Sequence, residues 1–334
     1  MKPFWSAGLL LALLWSGLSV AADSPEEPVK VLRQAAVAGS WYPADPEELK
    51  AYLDQALSRL PVGSESAQIP VRALLVPHSE VRHSGAIAAQ GFHRVRGAHF
   101  GRVVVLGPAH RGQFEGLAVP DATHYATPLG EIPLDPEAVR RLLSSGAARK
   151  IPGVDRRENV IEMPLPWLQH LLKPDWKLVP ILVGILNAES SGQAAQALRP
   201  LLGEDTLLVI SGEFTHYGPA YDYLPFPAKD PRFFERLRRL DLGLWERLVA
   251  RDVSGLFAYR EQTGNNACAL GPLAILGHLL TPATTITLEG YATSAPLGKQ
   301  GNSVSYLAAS FGDAAPWSAG SEAKPVASGS ATDR

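Results

Sequence analysis

Three short aliphatic runs in this sequence are each followed by a histidine within a few positions of their end. The runs are Val71 to Val76, Arg102 to Leu106 and Thr206 to Ile210, and the histidines are His78, His110 and His216. Runs of this length bounded by proline or glycine predict buried strands. Open α/β sheets bind ligands beyond the carboxyl ends of their strands, and imidazole is the commonest side-chain ligand of metals. We therefore expect at least two of these histidines to share a metal site, against the plainer interpretation of three separately solvated loop histidines.

Strand and helix patterns alternate along most of the chain, and no internal linker divides them. This order predicts one α/β domain over residues 35–312, with a mixed, largely parallel central sheet flanked by helices. Residues 23–34 are rich in proline and glutamate and predict a flexible lead-in. Residues 313–334 are rich in alanine, serine, glycine and proline, which predicts a disordered tail.

The first 22 residues have the pattern of a secretory signal peptide. Lys2 supplies a positive charge, an apolar stretch follows, and small residues up to Ala22 fit a cleavage site before Asp23. An uncleaved anchor helix is the alternative, but the apolar stretch is short for a bilayer span. We expect an exported protein, periplasmic or secreted, without a membrane span after cleavage.

Charge and cysteine content narrow the function further. The 31 basic and 33 acidic side chains give a net charge of −2, which provides no electrostatic basis for binding nucleic acid. Cys268 is the single cysteine and therefore forms no internal disulfide. A free cysteine is most often a small, buried apolar residue, and this is the plainest interpretation of Cys268. A thiolate beside two imidazoles also suits zinc, copper or iron, and a nucleophile activated by His216 is the third interpretation.

Glu213 lies three residues before His216 in the segment that follows the third run. Such a pair serves as general acid and base, or it orients a metal ligand without itself binding the metal. On spacing alone, a loop with local capping bonds explains it equally well. The sequence lacks a G-x-S-x-G elbow, a phosphate-binding loop and an H-E-x-x-H pair, so it offers no competing hydrolase motif.

An ordered set of motifs resembles the Memo-like family, known in bacteria as AmmeMemoRadiSam system protein B. These motifs are Ala38-Gly39-Ser40-Trp41-Tyr42-Pro43, Pro77-His78 with Ser84-Gly85, Leu106-Gly107-Pro108-Ala109-His110, Thr127-Pro128-Leu129-Gly130, the segment Glu158 to Gln169, the segment Ser211 to Gly218, and Val304-Ser305-Tyr306. Each is weak alone, but together they cover nearly the whole mature chain in the family's order.

The resemblance implies a fold similar to the catalytic subunits of class III extradiol dioxygenases. It places a mononuclear metal site on His78, His110 and Cys268, holding Fe²⁺ or Cu⁺/Cu²⁺, with Zn²⁺ as a further candidate. It gives Glu213 and His216 the acid and base positions. The expected activity is redox or dioxygenase-like chemistry by a non-haem metal-dependent oxidoreductase. The alternative is a non-enzymatic copper- or iron-binding module, or a partner-binding one. The resemblance also suggests protein partners from the AmmeMemoRadiSam set, and it leaves the small-molecule substrate open.

Several positions depart from the family pattern. Ser79-Glu80-Val81 replaces Ala-Gly-Tyr after the first histidine, His83 replaces a tyrosine, Asn159 replaces a histidine and Glu213 replaces an aspartate. None of these changes removes a proposed ligand. Glu80 and His83 add titratable groups that are themselves alternative ligands. The segment after His78 is therefore where we expect this chain's own specificity to lie.

Overall fold

A computed structural model describes residues 29–60, 69–294 and 301–318. The contacts divide the chain into a first unit, residues 1–30, and a second unit, residues 31–334, which holds all the elements described below. The predicted signal peptide lies outside the described residues, as does the predicted tail from residue 319 onward. No helix in the described parts of the chain is long and apolar enough to cross a membrane.

Twelve strands and eight α-helices make up the described fold. The strands are β1 (Leu32–Arg33), β2 (Val71–Val76), β3 (Arg102–Pro108), β4 (Leu117–Val119), β5 (His124–Thr127), β6 (Gly130–Pro133), β7 (Ala148–Lys150), β8 (Lys177–Val183), β9 (Thr206–Ser211), β10 (His216–Tyr217), β11 (Thr285–Thr293) and β12 (Ser303–Gly312). The helices are α1 (Pro46–Ser58), α2 (Val81–Phe92), α3 (Pro136–Ser144), α4 (Leu165–Leu171), α5 (Ala188–Leu198), α6 (Phe233–Val249), α7 (Val253–Thr263) and α8 (Leu270–Leu279).

The main sheet has the order β10-β12-β2-β9-β3-β8-β4-β7, and β11 pairs with β12 outside this path. Its centre, β2-β9-β3-β8, is entirely parallel. Antiparallel pairs flank this centre, between β12 and β2 on one side and between β4 and β8 on the other. A separate three-stranded sheet has the order β1-β5-β6. The predicted fold class, a mixed and largely parallel sheet flanked by helices, is confirmed.

Helices cover both faces of the main sheet, which explains why its central strands are continuously apolar. Val104 and Leu106 of β3 pack into a core that includes residues of α5, α6 and α8. Val103 and Val105, which alternate with them, pack into a second core with residues of α1, α2 and α4. A strand buried on both faces has no polar side, so its functional groups lie beyond its ends.

The first residues of the compact fold are fixed by a buried carboxylate. Glu162 forms an ion pair with Arg33 and accepts hydrogen bonds from the backbone N–H of Ala36 at 2.7 Å and from the hydroxyl of Tyr42 at 2.7 Å. Both partners of the ion pair are almost fully buried. The predicted flexible lead-in to residue 34 is therefore wrong for Leu32 and Arg33, because long-range partners hold them in place.

The far end of the fold also extends beyond its predicted boundary. Trp317 is 2% exposed and packs into the core beside α5 and α8. Asp313 accepts hydrogen bonds from the Thr281 hydroxyl at 2.7 Å and from the Trp317 indole N–H at 3.3 Å. The predicted disordered tail is thus wrong for residues 313–318, because a single buried aromatic residue anchors a segment whose composition is otherwise that of a loop.

Candidate metal centre

Parallel pairing brings two of the candidate segments to the same edge of the sheet. Val76 of β2 pairs in register with Ser211 of β9, and the N–H of Gly212 donates to the Val76 carbonyl at 2.9 Å. The next residues of these strands lead to His78 and Glu213. On the other side of β9, β3 runs parallel to it and leads to His110. All three carboxyl ends therefore open into one crevice.

Cys268 reaches this crevice from the residues just before α8. The N–H of Ala269 donates to the carbonyl of Glu213 at 3.1 Å, which fixes the start of the helix against the end of β9. A Cβ at Gly212 would lie 2.6 Å from the Cβ of Ala269, closer than two carbons can approach. Glycine at position 212 is thus what allows the sulfur to approach the strand ends.

The three ligands that the resemblance implied come together in space. One nitrogen of His78, one nitrogen of His110 and Sγ of Cys268 all lie within 4.8 Å of one another. The distance from Sγ to Nε2 of His78 is 3.6 Å. A tetrahedral ion with metal–sulfur and metal–nitrogen bonds of about 2.3 and 2.0–2.1 Å places these two atoms about 3.5 Å apart. The donor set therefore fits one transition-metal ion.

Ser211 sets the tautomer of His78. The Ser211 hydroxyl donates its only proton to the Val160 carbonyl at 2.6 Å, so it accepts from Nδ1 of His78 at 3.0 Å. The ring proton then lies on Nδ1, and the lone pair of Nε2 faces Cys268. The carbonyl of His78 is held in turn by the Asn159 amide at 2.9 Å. Neighbouring residues thus fix the tautomer and the position of His78, as they do for histidine ligands in known metal sites.

Glu158 lies next to His110, the second of the two proposed histidine ligands. Its Oε2 lies 3.5 Å from Nδ1 of His110, and its Oε1 accepts the N–H of Arg111 at 2.5 Å. This Oε2 has no hydrogen-bond partner among the described residues, so it faces the imidazole of His110 as a nearby negative charge and not as a hydrogen-bond acceptor. The His110 side chain is 38% exposed, whereas the His78 side chain is 2% exposed. The two imidazoles therefore differ in their access to solvent.

Glu213 and His216 lie beside the three ligands and contact each other. Oε2 of Glu213 is 3.2 Å from Nε2 of His216 and 4.0 Å from Nε2 of His78. The amide of Asn266 accepts from the N–H of His216 at 2.9 Å and donates to its carbonyl at 2.8 Å. This double contact fixes the backbone of His216, so the imidazole faces the carboxylate in a defined position.

Burial sets the charges of the apo site. It lowers the pKa of His78 to about 4, so the ring is neutral near pH 7 and able to bind a metal. Cys268 as a residue is half-buried, but protein surrounds its sulfur, and this burial, with the charge of Glu213, raises the pKa of the thiol. Burial alone would raise the pKa of Glu213, but His78 and His216 outweigh it and lower that pKa to about 2.

The residues after His78 that differ from the family pattern lie just before α2 and in its first turn. α2 begins at Val81, and the Ser84 hydroxyl in its first turn donates back to the Ser79 carbonyl at 2.9 Å. Glu80 pairs with Arg82 at 2.8 Å and lies 4.0 Å from His83. In the described part of the chain, neither Glu80 nor His83 belongs to a group of candidate ligands.

Sequence reasoning missed the residues that orient the ligands. The roles of Ser211, Glu158 and Asn266 depend on contacts between segments far apart in the chain. The only available signal was indirect, since Ser211 and Glu158 fall within motifs that carry the family resemblance.

Comparison with known proteins identifies the family of this chain. The sequence profile described as "Memo-like protein" matches residues 33–310. A MEMO1 family protein of Thermococcus kodakarensis is 33% identical over 274 residues, covering 79% of this chain and 93% of that protein. Protein MEMO1 of Xenopus tropicalis is 29% identical over 294 residues, covering 83% and 96%. A solved structure of an uncharacterized Escherichia coli K12 protein superposes with a TM-score of 0.40 at 17% identity, covering 72% of this chain and 99% of that one, a likeness too distant to indicate function.

We expect Ser211→Ala to weaken metal binding by about 10–100-fold, because His78 loses the acceptor that holds its proton on Nδ1. Competition with a chromophoric chelator measures the affinity, and ¹⁵N NMR of the imidazole reports the tautomer. Ser191→Ala is the matched control, since Ser191 is also fully buried, also donates to a carbonyl and also lies beside a histidine, His278. Unchanged affinity and unchanged imidazole shifts in Ser211→Ala would refute the role.

Proposed function

This chain belongs to the Memo-like protein family, and we propose that it is an exported metalloprotein with a mononuclear transition-metal site on His78, His110 and Cys268. The observation that carries the proposal is the convergence of these three ligand atoms within 4.8 Å at the carboxyl edge of the sheet. Iron and copper are the metals we propose. A thiolate among the ligands is softer than a carboxylate, and it favours Cu⁺ or Zn²⁺ relative to an all-oxygen and nitrogen site.

The proposed chemistry is redox or dioxygenase-like, and two further side chains support it. A bound iron or copper ion supplies electron transfer and a position for dioxygen or substrate. Nε2 of His216, 3.2 Å from the Glu213 carboxylate, holds a proton that it donates to or accepts from a substrate in the crevice. The low pKa of Glu213, about 2, keeps it ionised, so its carboxylate orients the imidazole of His216.

A second candidate function is a non-enzymatic metal-binding or partner-binding module. The thiolate favours this alternative because sulfur is oxidisable, and a site for repeated oxygen chemistry exposes it to damage. In this case His78, His110 and Cys268 store or transfer copper or iron, and the Glu213–His216 pair only stabilises the crevice. Fold does not distinguish the two functions, since function depends on the chemistry of the site.

The first test is metal content. We expect one equivalent of Fe²⁺ or Cu⁺ in the purified protein, and losses of affinity above ~100-fold in His78→Ala and Cys268→Ser, since loss of an outer partner alone costs about 10–100-fold. Elemental analysis and chelator competition measure both quantities. His170→Ala is the control, because His170 pairs with Asp54 and belongs to neither group of candidate ligands. Unchanged metal content in the two ligand variants would exclude the site.

Metal affinity should rise with pH. Because burial raises the pKa of Cys268, the thiol keeps its proton at neutral pH, and an ion must displace it. We expect Zn²⁺ affinity to rise about tenfold per pH unit between about pH 6 and pH 8, with one proton released per ion. His78, with a pKa of about 4, adds no dependence in this range. Titrations in weakly buffered solution measure the proton release, and a flat profile is the contrary result.

Oxygen consumption separates the two candidate functions. The protein, loaded anaerobically with Fe²⁺ and then mixed with a panel of catechols, should consume dioxygen if it is an enzyme. His216→Ala should keep its iron and lose about 10²–10⁴-fold in rate, as expected for removal of a general acid or base. Absence of consumption with both Fe²⁺ and Cu⁺ would instead favour the binding module.

We also propose export to a periplasm or to the medium, from the pattern of residues 1–22. An exported protein is separated from a cytoplasmic radical-SAM enzyme, so any partner from the AmmeMemoRadiSam set must share its compartment. Expression of the full chain in a bacterial host should yield a mature protein that begins at Asp23. Intact-mass analysis of cell fractions checks this, and an unprocessed cytoplasmic chain is the opposing outcome.

A further inference from the structure

The segment between β10 and α6, with the first turn of that helix, displays several apolar side chains to solvent. Tyr221, Leu224 and Phe234 are 40%, 56% and 50% exposed. Leu224 also lines an open groove of about 560 Å³, whose other walls are mainly prolines and the ring of Phe226. Contiguous apolar surface of this kind marks a site that binds another molecule. Residues 219–234 are called the apolar loop below.

A small core of its own supports the apolar loop. The rings of Phe226 and Phe233 lie 5.5 Å apart and pack with Tyr217 and Leu237. The Tyr217 hydroxyl donates to the Phe226 carbonyl at 2.7 Å. Phe234 contacts the ring of Phe233 from the outside, at 5.2 Å between centroids. The exposed side chains are thus displayed on a fixed base, which lowers the entropy that binding costs.

Basic side chains lie among the apolar ones. Residues 219–239 hold five basic and three acidic side chains, so this stretch carries a charge of +2 although the whole chain carries −2. Two of the three acids are already paired with arginines of the same stretch. Lys229 and Arg232 are exposed and form no ion pair with another described residue. These free cations favour an anionic partner.

The backbone of the apolar loop has few free N–H groups. Pro219, Pro225 and Pro227 have none. Of the other seven residues from 220 to 228, four donate within the protein, namely Ala220, Tyr221, Asp222 and Tyr223. A peptide that binds through backbone hydrogen bonds finds few donors here. A lipid interface, by contrast, suits such a loop, because each unpaired donor that leaves water costs free energy.

We propose that the apolar loop docks this protein on the surface of an anionic lipid bilayer. Leu224 and Phe234 enter the boundary between headgroups and acyl chains, and Tyr221 lies at headgroup level. Lys229 and Arg232 contact the lipid phosphates. The contact is peripheral and reversible. It goes beyond the proposed function and depends neither on the metal nor on export.

Flotation with lipid vesicles tests the proposal. The chain beginning at Asp23 is used, because the apolar residues 1–22 would bind lipid by themselves, and every element of the described fold follows residue 31. We expect binding to vesicles of phosphatidylcholine mixed with phosphatidylglycerol, and at least tenfold weaker binding to phosphatidylcholine alone. The affinity should also fall as salt is raised above about 0.15 M, where the Debye length is about 8 Å.

Four substitutions in the apolar loop separate its apolar and electrostatic parts. Leu224→Ser should weaken binding about tenfold, because it removes an inserted side chain. Lys229→Gln and Arg232→Gln should each cost about fivefold on the anionic vesicles only. Asp222→Asn should strengthen binding about fivefold, because it removes a negative charge beside the lipid phosphates. Asparagine tolerates the left-handed backbone of Asp222, whose φ is 49°.

Two substitutions elsewhere are matched controls. Ile185 is 60% exposed but lies outside the apolar loop, and Lys150 lies in β7, at the opposite edge of the main sheet from β10. Ile185→Ser and Lys150→Gln should bind vesicles as the wild type does, and thermal melts followed by circular dichroism check that all variants fold.

Three results would overturn the proposal. The first is equal binding to both lipid mixtures, and the second is a loss in the controls as large as in the loop variants. The third is no vesicle binding by the wild type. If Leu224→Ser then lowers the molar mass of the protein in light scattering, the apolar loop is a contact between copies of the chain and not a lipid contact.

Discussion

The candidate metal centre depends on the parallel pairing of β2, β9 and β3. Because these strands run in the same direction side by side, the chain leaves all three at one edge of the sheet, and His78, Glu213 and His110 follow there. The strands themselves are aliphatic and buried on both faces, so they stabilise the fold without taking part in the chemistry. A slip of one strand would leave the core apolar but separate the ligands. Register, more than the identity of any one ligand, thus determines whether the site exists.

Buried polar contacts connect this edge to the start of the fold. Arg33 pairs with Glu162 and also donates to the carbonyl of Glu158 at 2.5 Å, while the side chain of Glu158 faces His110. Buried ion pairs often add little net stability, because desolvation offsets their attraction. Their effect here is to fix where the segment of residues 155–162 lies against the strands. The segment around β1 therefore belongs to the support of the site, although it is far from the ligands in sequence.

The sequence predicted the parts of this site that depend on local pattern. Aliphatic runs with breakers placed the strands, and the position of each histidine after a run placed the edge. Cys268 could be chosen only because it is the single cysteine and because the family resemblance implies it as a ligand. Ser211 and Glu158 could not be assigned roles, since their partners, Val160 and His110, are set by packing between distant segments. Arg33 and Trp317 were misplaced for the same reason, because local composition carries no information about a long-range partner.

The three proposed ligands differ in how freely they can move. His78 is held at Nδ1 by Ser211 and at its carbonyl by Asn159, and Cys268 follows a backbone that lies against Gly212. His110 is the most exposed of the three, and among the described residues its imidazole has no contact as short as that of His78. Rigid ligands slow the exchange of a bound ion, whereas a mobile ligand provides its route in and out. For the proposed metal site, we therefore expect His110 to set both the rate of metal exchange and the range of ionic radii that the site tolerates.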